Sequence, residues 1–196
     1  MPRIILASSS QARKKLLEQI GLKFKVIIPS IKEFKVTKAN YKSLVIRNAL
    51  LKAENITKRV KKGIIISADT VVVADKTIIG KPKSIKDAFR ILRLLSKEPH
   101  WVYTGLVVMD IEKKIKLFDY DKTKVWMCPL NYDQIRAYLR KAKPLDKAGS
   151  FDIQGLGGVF IDRIEGCFYN VVGLPLAKLV KLLNKVGIDI FKFDYK

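Results

Sequence analysis

The chain has 196 residues, 48% of them hydrophobic and 29% charged, which suits one globular unit with a buried core and excludes a disordered composition. Its 39 Lys and Arg outnumber 18 Asp and Glu, giving a formal charge of +21 that draws polyanions non-specifically without choosing among them. One histidine excludes multi-histidine metal sites, the distant Cys128 and Cys167 give no disulfide or zinc pattern and suit a reducing cytosol, and no stretch approaches the roughly 18 apolar residues of a membrane span.

Residues 3–8, RIILAS, predict a first strand, and their apolar run is too short for a signal sequence. A helix follows, with Ser10 as N-cap, Leu16, Leu17 and Ile20 on its apolar face and Gly21 at its end. KFKVIIP reads as a second strand closed by Pro29. From Tyr41 to Lys62 the stripe Val45, Ala49, Ala53, Ile56, Val60 has helical spacing and predicts one long amphipathic helix.

A hairpin comes next, with strand Ile64–Ala74, a turn at Asp75-Lys76 and a return through Thr77, Ile78 and Ile79. Ser84 and Asp87 form a capping box for a helix carrying Ile85, Ala88, Ile91, Leu92 and Leu95. Strands are expected at HWVYTGLVVMDI, KIKLFDYD and TKVWMC. A second capping box, Asn131 with Gln134, precedes a helix bearing Ile135, Tyr138, Leu139 and Ala142. Pro175 opens a last helix, which Gly187 stops. Strands and helices interleave without a strict βα repeat, so the expected fold is α/β, a mixed sheet flanked by helices and not a doubly wound Rossmann sheet. Residues 1–196 form one domain, and a boundary between two lobes is best placed near 96–99.

Three stretches combine polar residues with turns. ASSSQAR, Ala7 to Arg13, gathers hydroxyls, free N–H groups at a helix N-terminus and a guanidinium, which outlines an anion site as readily as a simple Ser10 cap. Asp69 lies in an apolar strand and needs a partner there, while Lys81 sits in the Gly80-Lys81-Pro82 turn after the return strand. The two could be a buried ion pair, or a base or metal ligand beside a phosphate clamp. KAGSFDIQGLGG has glycines that let a ligand near the backbone, with Gln154 offering an amide, and reads equally as a bend between strands. No dinucleotide fingerprint or Walker lysine is present.

Together these stretches resemble the Maf family of nucleoside triphosphate pyrophosphatases. The resemblance runs in order along nearly the whole chain: LASSSQAR, ALLKA, SADTVV, GKP, HWVYTG, KAGSFDIQG and VVGLPL. It implies hydrolysis of a nucleoside triphosphate between the α and β phosphates with Mg²⁺ or Mn²⁺, a two-lobed Maf/ITPase-like fold with a central cleft, a homodimer and a cytoplasmic enzyme of nucleotide house-cleaning. By motif, Ser8, Ser10 and Arg13 would hold the triphosphate, with Lys52 and Lys81 on phosphate oxygens and Thr70 beside them. Glu33 and Asp69 would bind the metal and activate water, with Lys81 joining them in catalysis, and Gln154 would help place the nucleotide.

The chain departs from the family pattern at Gln11 and Ala12, where a proline and a first arginine are usual, and at Lys32, where the resemblance implies an acidic residue beside Glu33. Ile153-Gln154-Gly155 points to the dTTP/UTP branch, with 7-methyl-GTP or another modified purine as the alternative substrate. A second function class, a nucleic-acid-binding or division-regulating protein, would rest on the +21 surface alone.

Overall fold

The computed structural model describes residues 3–34, 40–142, 145 and 147–192. Its strands are β1 (Ile4–Leu6), β2 (Lys25–Val26), β3 (Ile64–Ala74), β4 (Thr77–Ile79), β5 (His100–Asp110), β6 (Ile115–Met127) and β7 (Ile161–Glu165). The helices are α1 (Gln11–Gln19), α2 (Tyr41–Thr57), α3 (Ile85–Leu95), α4 (Tyr132–Lys141), α5 (Phe168–Val172) and α6 (Leu176–Lys185). One mixed sheet runs β2-β1-β3-β5-β6-β7, with β4 also paired to β3. β1 is parallel to β2 and β3, and every other pairing is antiparallel.

Strand alternation sorts β3 into two faces. Its even residues Ile64, Ile66 and Ala68 enter a core with Leu16, Leu17 of α1 and Leu179, Leu182, Leu183 of α6. The odd residue Ile65 packs with Ile5, Val107 and the α2 residues Ala49, Ala53 and Ile56. Farther along the same strands, Val72, Val102 and Val125 meet α3 and α4 through Ala88, Leu92, Leu95, Ile135 and Leu139. The Asn131–Gln134 capping box forms as expected with reciprocal bonds, whereas at α3 only half of the expected box is made, with Ser84 Oγ accepting from Asp87 N–H. The Asp87 carboxylate accepts from Lys83 N–H, one residue before the cap itself.

Several elements differ from the expectation. α2 stops at Thr57 and not Lys62, because the chain has to descend to the sheet, where Gly63 at φ +116° comes so close to the Arg3 carbonyl that a Cβ would lie 2.4 Å from that oxygen. The second strand shrinks to Lys25–Val26, both exposed at the sheet edge. The two strands expected between Lys114 and Cys128 are one, since Lys122 is simply an outward position in an unbroken alternation. β7 and the short α5 were unmarked in the sequence, hidden inside a glycine-rich segment and a five-residue turn of helix.

Candidate active site

The site lies where the sheet has a gap. β1 pairs with β3 only at Ile64–Ile66, and β4 pairs with the same edge only at Val72–Ala74. Between them, among the described residues, that edge of β3 has no strand beside it, and Asp69 and Thr70 stand at its middle. β1 leads from one side into Ser8, while the chain leaving β4 antiparallel to β3 carries Lys81 back to about the level of Thr70. Two topologically separate segments therefore form the rims of one gap.

On the α2 face Asp69 is 6% exposed and fully partnered. Lys52 Nζ donates to Asp69 Oδ1 at 2.6 Å and pairs with Glu33 Oε1 at 2.8 Å, and it also donates to the Ala68 carbonyl at 3.3 Å. Asn48 Nδ2 donates to Asp69 Oδ2 at 3.0 Å. α2 can reach so deep because it crosses β5 at Gly105, the register partner of Asp69, where a Cβ would lie 2.3 Å from the Val45 backbone. Asn48 and Lys52 follow Val45 on the same helix face.

On the other face Arg13 is buried, with Nε donating to the Gly173 carbonyl at 2.8 Å, Nη1 to Ser8 Oγ at 3.2 Å and Nη2 to Thr70 Oγ1 at 2.9 Å. Thr104 donates to the Asn170 carbonyl at 3.0 Å, so the 2.9 Å contact between the threonines has Thr70 as donor. Ser8 Oγ also accepts from Ser10 N–H, and Ser10 Oγ caps α1 by accepting from Arg13 N–H. No carboxylate among the described residues pairs directly with Arg13. Burial lowers the Arg13 pKa, against the raising influence of Asp69 and Glu33. At Glu33 burial opposes ionisation, but the hydrogen bond and charge of Lys52 and the charges of Arg13 and Lys81 outweigh it, leaving the carboxyl below its ordinary pKa.

Asp69, Glu33, Lys52, Ser8, Ser10, Arg13 and Thr70 therefore converge on the gap. The ion-pair partner of Asp69 is Lys52 from α2, not Lys81, which is exposed and is felt at the gap through its charge on Glu33. Gln154 is exposed on a turn between two short 3-10 segments, Ala148–Ser150 and Leu156–Phe160, and its side chain makes no hydrogen bond to the cluster. Asn48 went unmarked in the sequence. A polar residue three positions after Val45 on the apolar stripe of α2 was the signal available.

Gln11 and Ala12 occupy the first turn of α1, and Lys32 is exposed. Two carboxylates already gathered about one ammonium supply hard oxygen donors, which fits a divalent ion that keeps water and phosphate oxygens as its other ligands. Among the described residues no cluster of three or more His, Cys, Asp or Glu offers a protein-only cage. No described helix is long and apolar enough to cross a membrane.

Comparison with known proteins agrees along nearly the whole chain. A dTTP/UTP pyrophosphatase of Methanosarcina barkeri is 44% identical over 98% of this chain and 98% of its own length. One from Carboxydothermus hydrogenoformans is 41% identical over 94% and 99%, and one from Clostridium botulinum 44% over 93% and 98%. With the profile described as Maf-like protein matching residues 3–186, which takes in both rims of the gap and all of β3, the chain belongs to the Maf-like protein family.

Proposed function

We propose that this protein hydrolyses dTTP and UTP between the α and β phosphates, releasing the monophosphate and pyrophosphate. The observation that carries the reading is a carboxylate pair at one gap in the sheet with a buried guanidinium, Arg13, whose described bonds all go to neutral acceptors. Attack at the α phosphorus drives a nucleophile toward a centre shielded by anionic oxygens, so fixed cations and helix-end amides aimed at those oxygens lower the barrier. Arg13, the Ser8 hydroxyl, Ser10 and the first-turn N–H groups of α1 would take phosphate oxygens, with Thr70 orienting Arg13. Lys81 would neutralise the departing pyrophosphate. Lys52 would hold Glu33 and Asp69 in place as they bind a divalent ion, Mg²⁺ or Mn²⁺, and orient the attacking water. When bound, that ion would offset phosphate charge and lower the pKa of a coordinated water. Gln154 is the exposed amide available to the nucleotide.

A cytoplasmic setting fits the two free cysteines, and we infer a homodimer from the family resemblance, to be checked by light scattering. The test of function is a panel of nucleoside triphosphates, normal and modified, incubated with Mg²⁺ or Mn²⁺ and scored for pyrophosphate against orthophosphate. Pyrophosphate with monophosphate, strongest for dTTP and UTP, is expected. A 7-methylated purine leading the panel would overturn the specificity, and orthophosphate release or no release would overturn the reaction.

A further inference from the structure

α2 carries two asparagines seven residues apart, and each grips the backbone of one residue in the segment that bears Glu33. Asn55 Oδ1 accepts from Ser30 N–H at 3.0 Å while its Nδ2 donates to the Ser30 carbonyl at 3.1 Å. Asn48 repeats the arrangement on Phe34, accepting from N–H at 2.9 Å and donating to the carbonyl at 3.3 Å. Segment 30–34 is thus strapped along two turns of helix by side-chain amides that stand in for a neighbouring strand. Arg47 adds its guanidinium over the Phe34 ring, 3.6 Å from the centroid.

The two straps are not equivalent. Asn55 is at the surface, whereas Asn48 is 2% exposed and its Nδ2 also donates to Asp69 Oδ2. An amide buried that deeply on the apolar face of a helix is costly unless its hydrogen bonds are made, and here oxygen and nitrogen are both engaged. The acceptor role toward Phe34 N–H and the donor role toward Asp69 fix which end of the amide is which. One side chain therefore touches the Asp69 carboxylate and the residue next to Glu33.

We propose that Asn48 is a positioning residue for the reaction: by bonding Asp69 and the backbone of Phe34 together, it sets the separation of the Glu33 and Asp69 carboxylates and readies them for one divalent ion. This rests on the roles proposed above for Glu33 and Asp69. An apolar residue of similar volume at position 48 would leave the α2 core filled and leave Lys52 between the carboxylates, but the segment bearing Glu33 would be held from Ser30, through Lys52 and by the Arg47–Phe34 ring contact, with no bond joining Phe34 to Asp69.

The test compares Asn48→Leu, Phe34→Pro and Phe34→Ala with the parent protein, each first checked for a cooperative melting transition. Phe34→Pro deletes the N–H that Asn48 accepts without touching the core, and Phe34→Ala removes the ring but keeps that N–H. Without nucleotide, direct Mn²⁺ binding by electron paramagnetic resonance should weaken about 10-fold in Asn48→Leu and Phe34→Pro and stay within about twofold in Phe34→Ala. The Phe34 amide should exchange faster with deuterium in Asn48→Leu, and kcat should fall about 10-fold or more with the nucleotide KM little changed. A folded Asn48→Leu with parental Mn²⁺ affinity and kcat overturns the positioning role. Asp69→Asn run alongside separates the two failures: if it also keeps full turnover, the site reading itself is overturned, and if it is inactive while Asn48→Leu is not, only the role of Asn48 is lost.

Discussion

Asp69 and Thr70 are adjacent in β3 and belong to opposite networks. On the α2 face an anion is buried and answered by Lys52 and Asn48, with Lys52 shared by a second carboxylate, Glu33. On the α1 face a cation is buried and its partners are a serine, a threonine and a carbonyl, none of them charged. Arg13 has no direct ion pair among the described residues and feels Asp69 and Glu33 only at a distance, so it has more positive potential to offer the gap than Lys52, which is already bonded to both carboxylates. In the proposed reaction the two cations would therefore do different work, Arg13 on phosphate and Lys52 on the carboxylates.

The most severe way to break this contrast is at the anion. Asp69→Asn should lower kcat by roughly 10³-fold with a cooperative melt retained, measured by pyrophosphate release. Lys52→Met removes the counter-ion of two carboxylates and should destabilise the fold by about 3 kcal/mol, seen in urea unfolding, while the KM for the triphosphate changes less than kcat. Arg13→Lys sharpens the comparison from the other face. A lysine cannot reproduce three bonds from a planar fork, so KM for the triphosphate should rise about 10-fold; an unchanged KM would remove Arg13 from the phosphate role.

The smallest effect concerns a third buried group, His100, which is 0% exposed and has no geometrically sound hydrogen-bond partner at either ring nitrogen among the described residues. Burial lowers its pKa from 6.5 to about 4, against a raising influence of the Leu95 backbone. The unfolded state binds the proton first, so His100 costs stability as pH falls from the unfolded pKa toward the folded one, and nothing further below it. Between about pH 7.5 and about pH 5.5 the loss should be about 1 kcal/mol, and His100→Phe should flatten that part of the stability profile. A slope unchanged in the variant would show that other groups set it.

Much of this was legible in the chain. The hairpin turn at Asp75-Lys76, both at positive φ, and the alternation of β3 could be read directly, as could the N-caps Ser10, Ser84 and Asn131. Local signals of this kind lie within a few residues of their effect. What could not be read was which partner crosses to Asp69. Lys81 was the nearer candidate along the chain, but helix packing at Gly105 brings Lys52 instead, a contact set by a glycine 53 positions away from that lysine. The relay from Arg13 through Thr70 and Thr104 to Asn170 joins four segments in the same way and has no local signature.

At the gap the described residues form a sheet three strands wide, β3, β5 and β6, and Gly105 contributes no side chain there. Hydrophobic clusters lie toward either end of those strands, and at the gap the narrowed sheet is packed on one face by α2 across Gly105 while one edge of β3 stays unpaired. A strand edge without a paired neighbour opens more readily than one that is paired. A triphosphate reaching from the Ser8 rim to the Lys81 rim would act as a brace across that gap, and amides of residues 67–71 should be the ones whose deuterium exchange slows most when a non-hydrolysable nucleotide binds.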